Sequence, residues 1–165
     1  MASIIGVENL QHTNGTTAAT IDSSGRVIQS VTTAFMVTTT SATTSTDSII
    51  TAWQTPTVNK GNAFNKTTGK FVAPCSGIYH FAATILGSSH NGTRNEVWMY
   101  KNSTVVVKSR DDTRNGRYQT FTPTATLDLA TNDEVYLYVE ASGGTLAGHA
   151  DSGEPWVTFN GFRVG

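Results

Sequence analysis

The side chains of this chain that could bind a metal ion are its histidines and the carboxylates near them. The sequence has four histidines, and only His149, followed by Asp151 and Glu154, approaches the short spacing at which zinc ligands converge. These three residues lie in a glycine-rich stretch, for which a solvent-exposed loop is the competing interpretation. We favour the loop, and we expect neither a metal ion nor a cofactor.

Residues that could perform nucleophilic or acid–base catalysis do not form a recognisable pattern. The sequence contains no Gly-x-Ser-x-Gly turn, no His-Glu-x-x-His and no phosphate-binding Gly-Lys-Ser/Thr. Asp111 and Asp112 are adjacent on a polar stretch, whereas sugar cleavage uses two carboxylates on opposite sides of the scissile bond. Serine, histidine and aspartate occur together in nearly any protein, and that alone indicates no triad. We therefore expect that the protein is not an enzyme.

Composition argues against two classes of partner. Only 14% of the residues are charged and the formal net charge is −1, so the sequence offers no basic surface for nucleic acid. No apolar run reaches the length that crosses a membrane, and residues 1–6 lack the features of a signal peptide.

Cys75 is the single cysteine, so an intrachain disulfide is impossible. A half-buried apolar role for Cys75 is favoured over a reactive thiol or an interchain bridge.

Residues 59–81 indicate the elements that would position a binding surface. A turn signal precedes an extended run at residues 70–73, and Pro74 ends that strand or places it at an edge because proline has no N–H to donate. A second turn at Gly77 leads into the strand of residues 78–85. Period-two pleating gives this strand two faces: Tyr79, Phe81, Ala83 and Ile85 on one, and Ile78, His80, Ala82 and Thr84 on the other. The first face suits a sandwich core, and the second is compact and mildly apolar.

Short strands and polar turns continue through the rest of the chain. Residues 134–140 alternate strictly between aliphatic residues and tyrosine or glutamate, which is typical of a half-buried strand. Polar stretches predict exposed loops at residues 38–46, 88–95, 109–117 and 143–155. No helical period is sustained, which predicts an all-β fold, an antiparallel jelly-roll sandwich.

Residues 1–30 differ in pattern from the remainder of the chain and predict a short β-rich attachment segment ahead of a domain over residues 31–165. Asn14-Gly15 and Ser24-Gly25 lie between extended pieces, a pattern that favours tight hairpins. Thirty residues cannot bury a core alone. The segment would therefore pack on a copy of itself, on the domain behind it or on a larger assembly. A frayed tail is the alternative, because the segment is polar.

Several positions of the central stretch fall at the spacing of one family signature: Asn59, Gly61, Phe64, Gly69, Phe71, Pro74, Gly77, Tyr79 and Phe81. Further matches follow in order at residues 97–102, 127–137 and 158–162. Over residues 34–165 the sequence thus resembles the C1q-like globular head domain, a relative of the tumour necrosis factor fold. The resemblance implies a core signature that consists of Phe71, Gly77, Tyr79, Phe81 and Gly161.

The resemblance also implies a homotrimer and the residues around its axis. By position, the residues that would line the threefold axis are His80, Ala82, Thr122 and Phe159. The alternative is that Phe159 belongs to the core and that His80 is solvated. The family binds calcium near the top of that axis, and Asp112 lies at about the position of one ligand. Thr120 stands where a second carboxylate is expected, however, and a hard cation needs several oxygens. We therefore do not assign a calcium site.

The segment at the start of the chain adds a second resemblance. Residues 10–27 are similar to segments of structural fibre proteins from tailed bacteriophages. Together the two resemblances imply a virion protein assembled in the host cytoplasm. It would be a trimeric tail-fibre or appendage knob that recognises a glycan or protein on the host surface and is joined to other virion proteins by residues 1–30. The alternatives are a capsid decoration protein and a C1q-like lectin or ligand of a cellular organism. None of them implies a nucleic-acid or membrane partner.

Overall fold

The computed structural model describes residues 6–29, 32–39, 43–45, 47–87, 94–111, 118–142, 146–148 and 155–164. All regular elements in these ranges are β-strands, as the sequence predicts. The chain divides into two compact units whose boundary lies between Thr32 and Thr33, near the boundary that the sequence suggests. Within the described ranges, no helix is present that could span a membrane.

The first unit contains a three-stranded antiparallel sheet, in the order β1-β2-β3. Its strands are β1 (Asn9–Gln11), β2 (Thr17–Ile21) and β3 (Val27–Gln29). Tight turns join them, with Gly15 at φ 86° and Gly25 at φ 76°, a region that glycine adopts without a steric penalty. In the second turn the Asp22 carboxylate accepts the backbone N–H groups of Ser24 at 2.9 Å and Arg26 at 3.0 Å. The two predicted hairpins are therefore confirmed.

The second unit is an antiparallel sandwich of two sheets. Its strands are β4 (Ala34–Thr39), β5 (Thr43–Ser45), β6 (Ser48–Ile49), β7 (Val58–Lys60), β8 (Phe64–Asn65), β9 (Lys70–Val72), β10 (Gly77–Gly87), β11 (Arg94–Lys101), β12 (Thr104–Asp111), β13 (Gln119–Phe121), β14 (Thr124–Leu129), β15 (Glu134–Ser142), β16 (Leu146–Gly148) and β17 (Val157–Arg163). Among the described residues, the large sheet has eight strands in the order β5-β16-β10-β17-β4-β7, with β13 and β14 also paired to β10. The small sheet has six, in the order β12-β11-β15-β9-β8, with β6 also paired to β15. This is the jelly-roll sandwich that the sequence predicts.

The inward side chains of both sheets form one aromatic core. The inward residues of β10 are Tyr79, Phe81, Ala83 and Ile85, all buried, which confirms the predicted division of this strand into two faces. Phe35 stacks on Phe64 with ring centroids 4.7 Å apart, and Phe71 meets Phe81 edge-on at 5.1 Å. Each such fully buried ring stabilises the fold by about 1.5–3 kcal/mol.

Strands occupy parts of the stretches that the sequence predicts as loops. β4 continues through Thr39, whose side chain is buried, and β5 follows within residues 38–46. β16 likewise lies within residues 143–155, where it pairs with β5 and with β10. The loop prediction was wrong at β4 and β5 because threonine is a good strand former and its polarity does not exclude a strand. It was wrong at β16, which contains no threonine, because this segment pairs with β5 and β10. The partner strands are distant in the chain and leave no local pattern.

Candidate functional site

The core signature lies where the two sheets face each other. Phe71, Tyr79 and Phe81 are fully buried, and the Phe71 ring lies 5.4 Å from that of Tyr79. The Tyr79 hydroxyl donates a hydrogen bond to the carbonyl oxygen of Cys75 at 2.8 Å. Burial, followed by a hydrogen bond with the Cys75 side chain, raises the pKa of Tyr79 to about 12. Cys75 itself is half-buried.

The two signature glycines allow close approach between strands and side chains. A Cβ at Gly161 would lie 2.5 Å from Cδ1 of Phe81 and 2.8 Å from Cε1 of Phe35, so only glycine leaves room for both rings. At Gly77, where φ is 151°, a Cβ would lie 2.9 Å from Nε of Arg163. Both glycines therefore allow the close contacts with which β10 and β17 pair side by side.

The outward side of the large sheet, which we name the His80 face, carries a mixed aromatic and polar patch. His80 pairs in register with Thr126 on one side and with Phe162 on the other. Nδ1 of His80 lies 3.1 Å from Oγ1 of Thr126, and the rings of His80 and Phe162 have centroids 5.5 Å apart. Ile78 and Phe162 are exposed to 42% and 46%. The face therefore exposes large apolar groups around a histidine that has a polar partner.

Three of the four residues expected at a threefold axis are accessible. His80 and Ala82 are half-buried and point outward from β10. Thr122 is exposed between β13 and β14, and its backbone N–H donates to Oγ of Ser109 at 3.4 Å. Their place at an axis between copies of the chain stays a prediction.

Phe159 does not lie on the His80 face, which corrects its expected position. Its side chain is fully buried, and its ring centroid is 4.9 Å from that of Phe35 in the core. Residues alternate along β17, so Asn160 and Phe162 point outward instead. The period-two alternation along β17 could have identified Phe162 as an outward side chain, since its neighbour Gly161 lies on the inward side.

Two turns at one end of the small sheet are joined by hydrogen bonds. Asn102 and Asn132 both adopt positive φ, at 53° and 71°. The Asp133 carboxylate accepts Nδ2–H of Asn102 at 2.9 Å and the backbone N–H of Ala130 at 2.8 Å, and lies 3.1 Å from Nζ of Lys101. These contacts, led by the hydrogen bond from Asn102, lower the pKa of Asp133 to about 2. The turns are therefore held together by a group that stays ionised at neutral pH.

Four aromatic side chains cover the outward side of the small sheet. This aromatic ladder consists of Trp98 and Tyr100 on β11 and of Tyr136 and Tyr138 on β15. Trp98 and Tyr138 are register partners with ring centroids 6.0 Å apart, and Tyr100 and Tyr136 are partners that stack at 5.1 Å with planes 5° apart. Tyr100 and Tyr138 connect the two rows at 5.7 Å. All four rings are half-buried. The ladder was not predicted from the sequence, although aromatic residues two apart on each strand were a signal for it.

Lysines border the ladder at both edges. Nζ of Lys108 lies 3.7 Å from the centroid of the Trp98 ring, and Nζ of Lys70 lies 5.0 Å from that of Tyr136. Lys70 is also 2.7 Å from the carboxylate of Glu134. Each ammonium group therefore already contacts a ring of the ladder.

A carboxylate lies at the tryptophan end of the ladder. The indole N–H of Trp98 donates to the carboxylate of Glu96, whose side chain is buried, and Arg110 lies 3.9 Å from the same carboxylate. Partial burial raises the pKa values of Tyr136 and Tyr138, so both hydroxyls stay protonated at neutral pH. The ladder thus offers hydroxyl, ammonium and carboxylate groups around aromatic rings.

The residues weighed as metal ligands, Asp112, His149, Asp151 and Glu154, lie outside the described residues. Thr120 is exposed on β13. In the part of the chain that the structure describes, no three histidine, cysteine or acidic side chains come together as a metal site. The expectation of no metal ion stays a prediction.

Comparison with known proteins identifies the family. A model of the C1q domain matches residues 34–164. The chain belongs to the C1q family. Homotrimers are typical of C1q and tumour necrosis factor-like proteins. Human complement C1q tumor necrosis factor-related protein 3 is 34% identical over 108 residues, 64% of this chain and 41% of that protein, and the mouse protein of the same name matches equally. The chain thus spans about two fifths of the length of these relatives.

Solved structures share this fold at low sequence identity. The globular domain of zebrafish complement 1qA protein has a TM-score of 0.62 at 19% identity, over 81% of this chain and 98% of that one. Eiger TNF from S. frugiperda has a TM-score of 0.64 at 12% identity, over 81% and 93%, and murine APRIL has 0.59 at 10%, over 81% and 99%. The expected C1q and tumour necrosis factor-like fold is therefore confirmed. The N-terminal unit lies outside the family match.

Proposed function

We propose that the chain is a homotrimeric recognition head without enzymatic activity, of the kind of a C1q-like ligand or lectin. The observation that carries this proposal is the His80 face, on which Ile78 and Phe162 are 42% and 46% exposed. Half-buried Ala82 and Met36 extend the apolar surface around them. Soluble monomers rarely leave such patches open unless they bind something. Two further copies of the chain fit this surface, because interface cores are apolar and poor in charge.

Assembly through this face would remove exposed apolar area from water at little polar cost. Complete burial of an exposed phenylalanine or isoleucine contributes about 1.5–3 kcal/mol, so burying the part of Phe162 and of Ile78 that is still exposed would contribute roughly half of that for each. His80 keeps the Thr126 hydroxyl as a partner at 3.1 Å, so its ring is not left without a hydrogen bond on burial. The His80 face is therefore better suited to burial between protomers than to exposure to solvent.

Recognition itself is proposed to use loops at one or both ends of the sandwich. The candidate loops are residues 38–46, 88–95, 109–117 and 143–155, of which the last three fall largely outside the described residues. Loops on a rigid sandwich are the usual place for such contacts. A threefold arrangement would present each contact three times, which turns weak binding of a surface glycan or protein into avidity.

Two settings for this head have separate support. The resemblance of residues 10–27 to bacteriophage fibre proteins favours an appendage of a virion, assembled in the host cytoplasm. The first unit would then attach to other virion proteins, and its exposed Leu10, Val27 and Ile28 offer an apolar surface for that contact. The similarity to the mammalian proteins favours a ligand or lectin of a cellular organism instead. A capsid decoration protein would use the same trimer to clamp shell subunits.

Sedimentation equilibrium at micromolar concentration tests the trimer. The wild-type chain is expected at three times its monomer mass, and Phe162→Asp at the monomer mass, because assembly would bury an unpaired carboxylate in each protomer. Ile28→Asp is the matched control: Ile28 is 50% exposed but lies in the first unit, so this variant should remain trimeric. A wild-type chain that sediments as a monomer refutes the proposal.

Labelling with antibody against the chain tests the setting. Electron microscopy of virus particles should show antibody on a tail or fibre if the virion appendage is correct. Antibody at the local threefold positions of a capsid would indicate a decoration protein. Antibody on cells or in their medium, with none on particles, would indicate a cellular ligand or lectin and remove the virion role.

A further inference from the structure

We propose that the aromatic ladder of the small sheet binds the neutral sugar rings of an oligosaccharide. The inference rests on the proposed function, since it names a binding surface and a ligand class for that recognition head. The ladder and the His80 face lie on opposite sides of the sandwich, because each is the outward side of a different sheet. Assembly through the His80 face therefore leaves the ladder accessible.

The ladder has the extent of a binding platform for an extended ligand. Its four rings lie on two adjacent strands, β11 and β15, and the bordering Lys108 on β12 and Lys70 on β9 extend the surface to four strands. With about 4.8 Å between neighbouring strands, these four strands span about 14 Å. A single small group would cover only part of this length, whereas a short oligosaccharide would cover most of it.

The rings provide the contact surface that a sugar needs. Tyrosine and tryptophan combine a large rigid apolar area with a polar group and lose little conformational entropy on binding. An aromatic face carries partial negative charge and attracts the C–H groups on the flat side of a pyranose ring. Tyr100 and Tyr136 stack on each other, so for these two rings the contact is with the outer edges and with whatever part of each face the stacking leaves open. Cross-strand pairing explains why Trp98 faces Tyr138 and Tyr100 faces Tyr136. Pairing between strands alone does not explain why all four rings also remain partly exposed on one continuous surface.

The charges around the ladder select a neutral ligand. The basic groups that border it are Lys70, Lys108 and Arg110, and the acidic groups are Asp47, Glu96, Glu134 and Glu140. Nζ of Lys108 lies 3.7 Å from the centroid of the Trp98 ring, so a ligand that stacks on this face must displace the lysine side chain, which can then donate hydrogen bonds to sugar hydroxyls. Lys70 is paired with Glu134 at 2.7 Å, so it offers little to an anion. Sugar hydroxyls both donate and accept hydrogen bonds, and they match a border that contains donors and acceptors in nearly equal number.

A printed array of neutral, sialylated and sulfated oligosaccharides, probed with the full-length trimer, tests this inference. The wild-type chain is expected to bind neutral glycans, with an affinity that changes little with salt. Trp98→Ala and Tyr138→Ala should each lower the affinity for those glycans at least tenfold. Tyr118→Ala is the matched control. Tyr118 is 60% exposed, does not belong to the ladder and directly follows residues 109–117 in the sequence. Its loss should leave neutral-glycan binding unchanged. Circular dichroism and sedimentation establish that each variant is folded and trimeric.

A second measurement reads glycan binding on the unsubstituted chain. The chain has three tryptophans, so labelling with 5-fluorotryptophan gives three fluorine resonances. Trp98→Phe and Trp156→Phe assign two of them and leave the third to buried Trp53. Saturation with a glycan bound on the array should shift the Trp98 resonance and leave those of buried Trp53 and of Trp156 in place.

The possible outcomes separate the ladder from the recognition head. Binding that persists in both ladder variants but is lost in Tyr118→Ala overturns the ladder inference and leaves the proposed function standing. Binding only to sialylated or sulfated glycans overturns the neutral ligand class. A trimer that binds no glycan on the array, with no shift of the Trp98 resonance at millimolar neutral hexasaccharide, overturns the inference as a whole.

Discussion

Gly69→Ala is expected to destabilise the sandwich much more than Gly61→Ala, although both glycines belong to the same signature. Both adopt positive φ, at 70° and 77°, so alanine meets similar backbone strain at the two positions. Their surroundings differ. A Cβ at Gly69 would lie 2.1 Å from the carbonyl oxygen of Ile50, whereas the nearest atom to a Cβ at Gly61 is Oγ1 of Thr33 at 3.5 Å. The pair therefore separates backbone strain from the effect of a close contact.

The size of the difference follows from the hydrogen bond at Ile50. An L residue in the left-handed region costs about 1 kcal/mol, and this is the whole cost expected for Gly61→Ala. At Gly69 the Ile50 carbonyl must in addition move by about 1 Å to reach ordinary contact, and such overpacking costs about 1–3 kcal/mol. That carbonyl accepts the indole N–H of buried Trp53 at 2.7 Å, and a buried donor left without its acceptor costs about 1–3 kcal/mol. Gly69→Ala should therefore cost about 5 kcal/mol, the middle of a range of about 3–7 kcal/mol.

Thermal unfolding followed by circular dichroism measures both variants. At roughly 4 °C per kcal/mol for a domain of this size, we expect Tm to fall by about 20 °C for Gly69→Ala and by about 4 °C for Gly61→Ala. The chains must be compared at equal concentration, because dissociation of a trimer is coupled to unfolding. Tryptophan emission of the folded Gly69→Ala chain should also change, since Trp53 loses its partner. Equal decreases in Tm would refute the reasoning, because the contact with Ile50 would then contribute nothing.

Two further predictions concern the small sheet. Asp133→Asn should lower the urea midpoint at pH 7, and the difference from wild type should shrink as the pH falls toward 2. The reason is that a carboxylate with a pKa lowered to about 2 in the folded state stabilises the fold above about pH 4 and loses that effect as it is protonated. Asp128→Asn, at an exposed position on β14, is the control. A difference in urea midpoint between wild type and Asp133→Asn that stays the same from pH 7 to pH 2 would contradict the stabilising role of the Asp133 hydrogen bonds. In a double-mutant cycle of Tyr100→Ala and Tyr136→Ala, the stacked pair should give a coupling of about 0.5–1.5 kcal/mol in the free energy of unfolding, and additive single effects would contradict it.

Local patterns in the sequence were sufficient for the fold class and for the faces of single strands. The alternation of residues 78–85 predicted which side chains enter the core. The signature Asn59 also has a local explanation: its amide donates to the carbonyl oxygen of Phe64 and accepts the N–H of Phe64, both at 3.0 Å, and so closes the turn before β8. Contacts of this kind depend on residues a few positions apart. A sequence pattern can therefore indicate them.

Contacts between distant strands could not be predicted in the same way. The aromatic ladder needs β11 beside β15 in one register, and Trp98 and Tyr138 are far apart in the chain. The hydrogen bond between Asn102 and Asp133 joins two turns whose residues are 31 positions apart in the chain. Phe159 was misplaced for a related reason. Its position was taken from family resemblance, whereas the alternation along β17 would have assigned the outward position to Phe162.

The two outward faces of the sandwich differ in charge, and this difference explains why one suits assembly and the other suits a ligand. The register partners of His80 and Ala82 on the neighbouring strands are all uncharged: Thr124, Thr126, Asn160 and Phe162. Burying the surface around His80 and Ala82 against another protomer removes apolar area from water without desolvating an ion there, while Asp128, the register partner of Ile78, would have to stay hydrated. The ladder carries the pairs Lys70–Glu134 and Arg110–Glu96. Enclosing these ions in a protein interface would cost several kcal/mol in desolvation, whereas a hydrated oligosaccharide can lie across the rings while the charged groups keep contact with water.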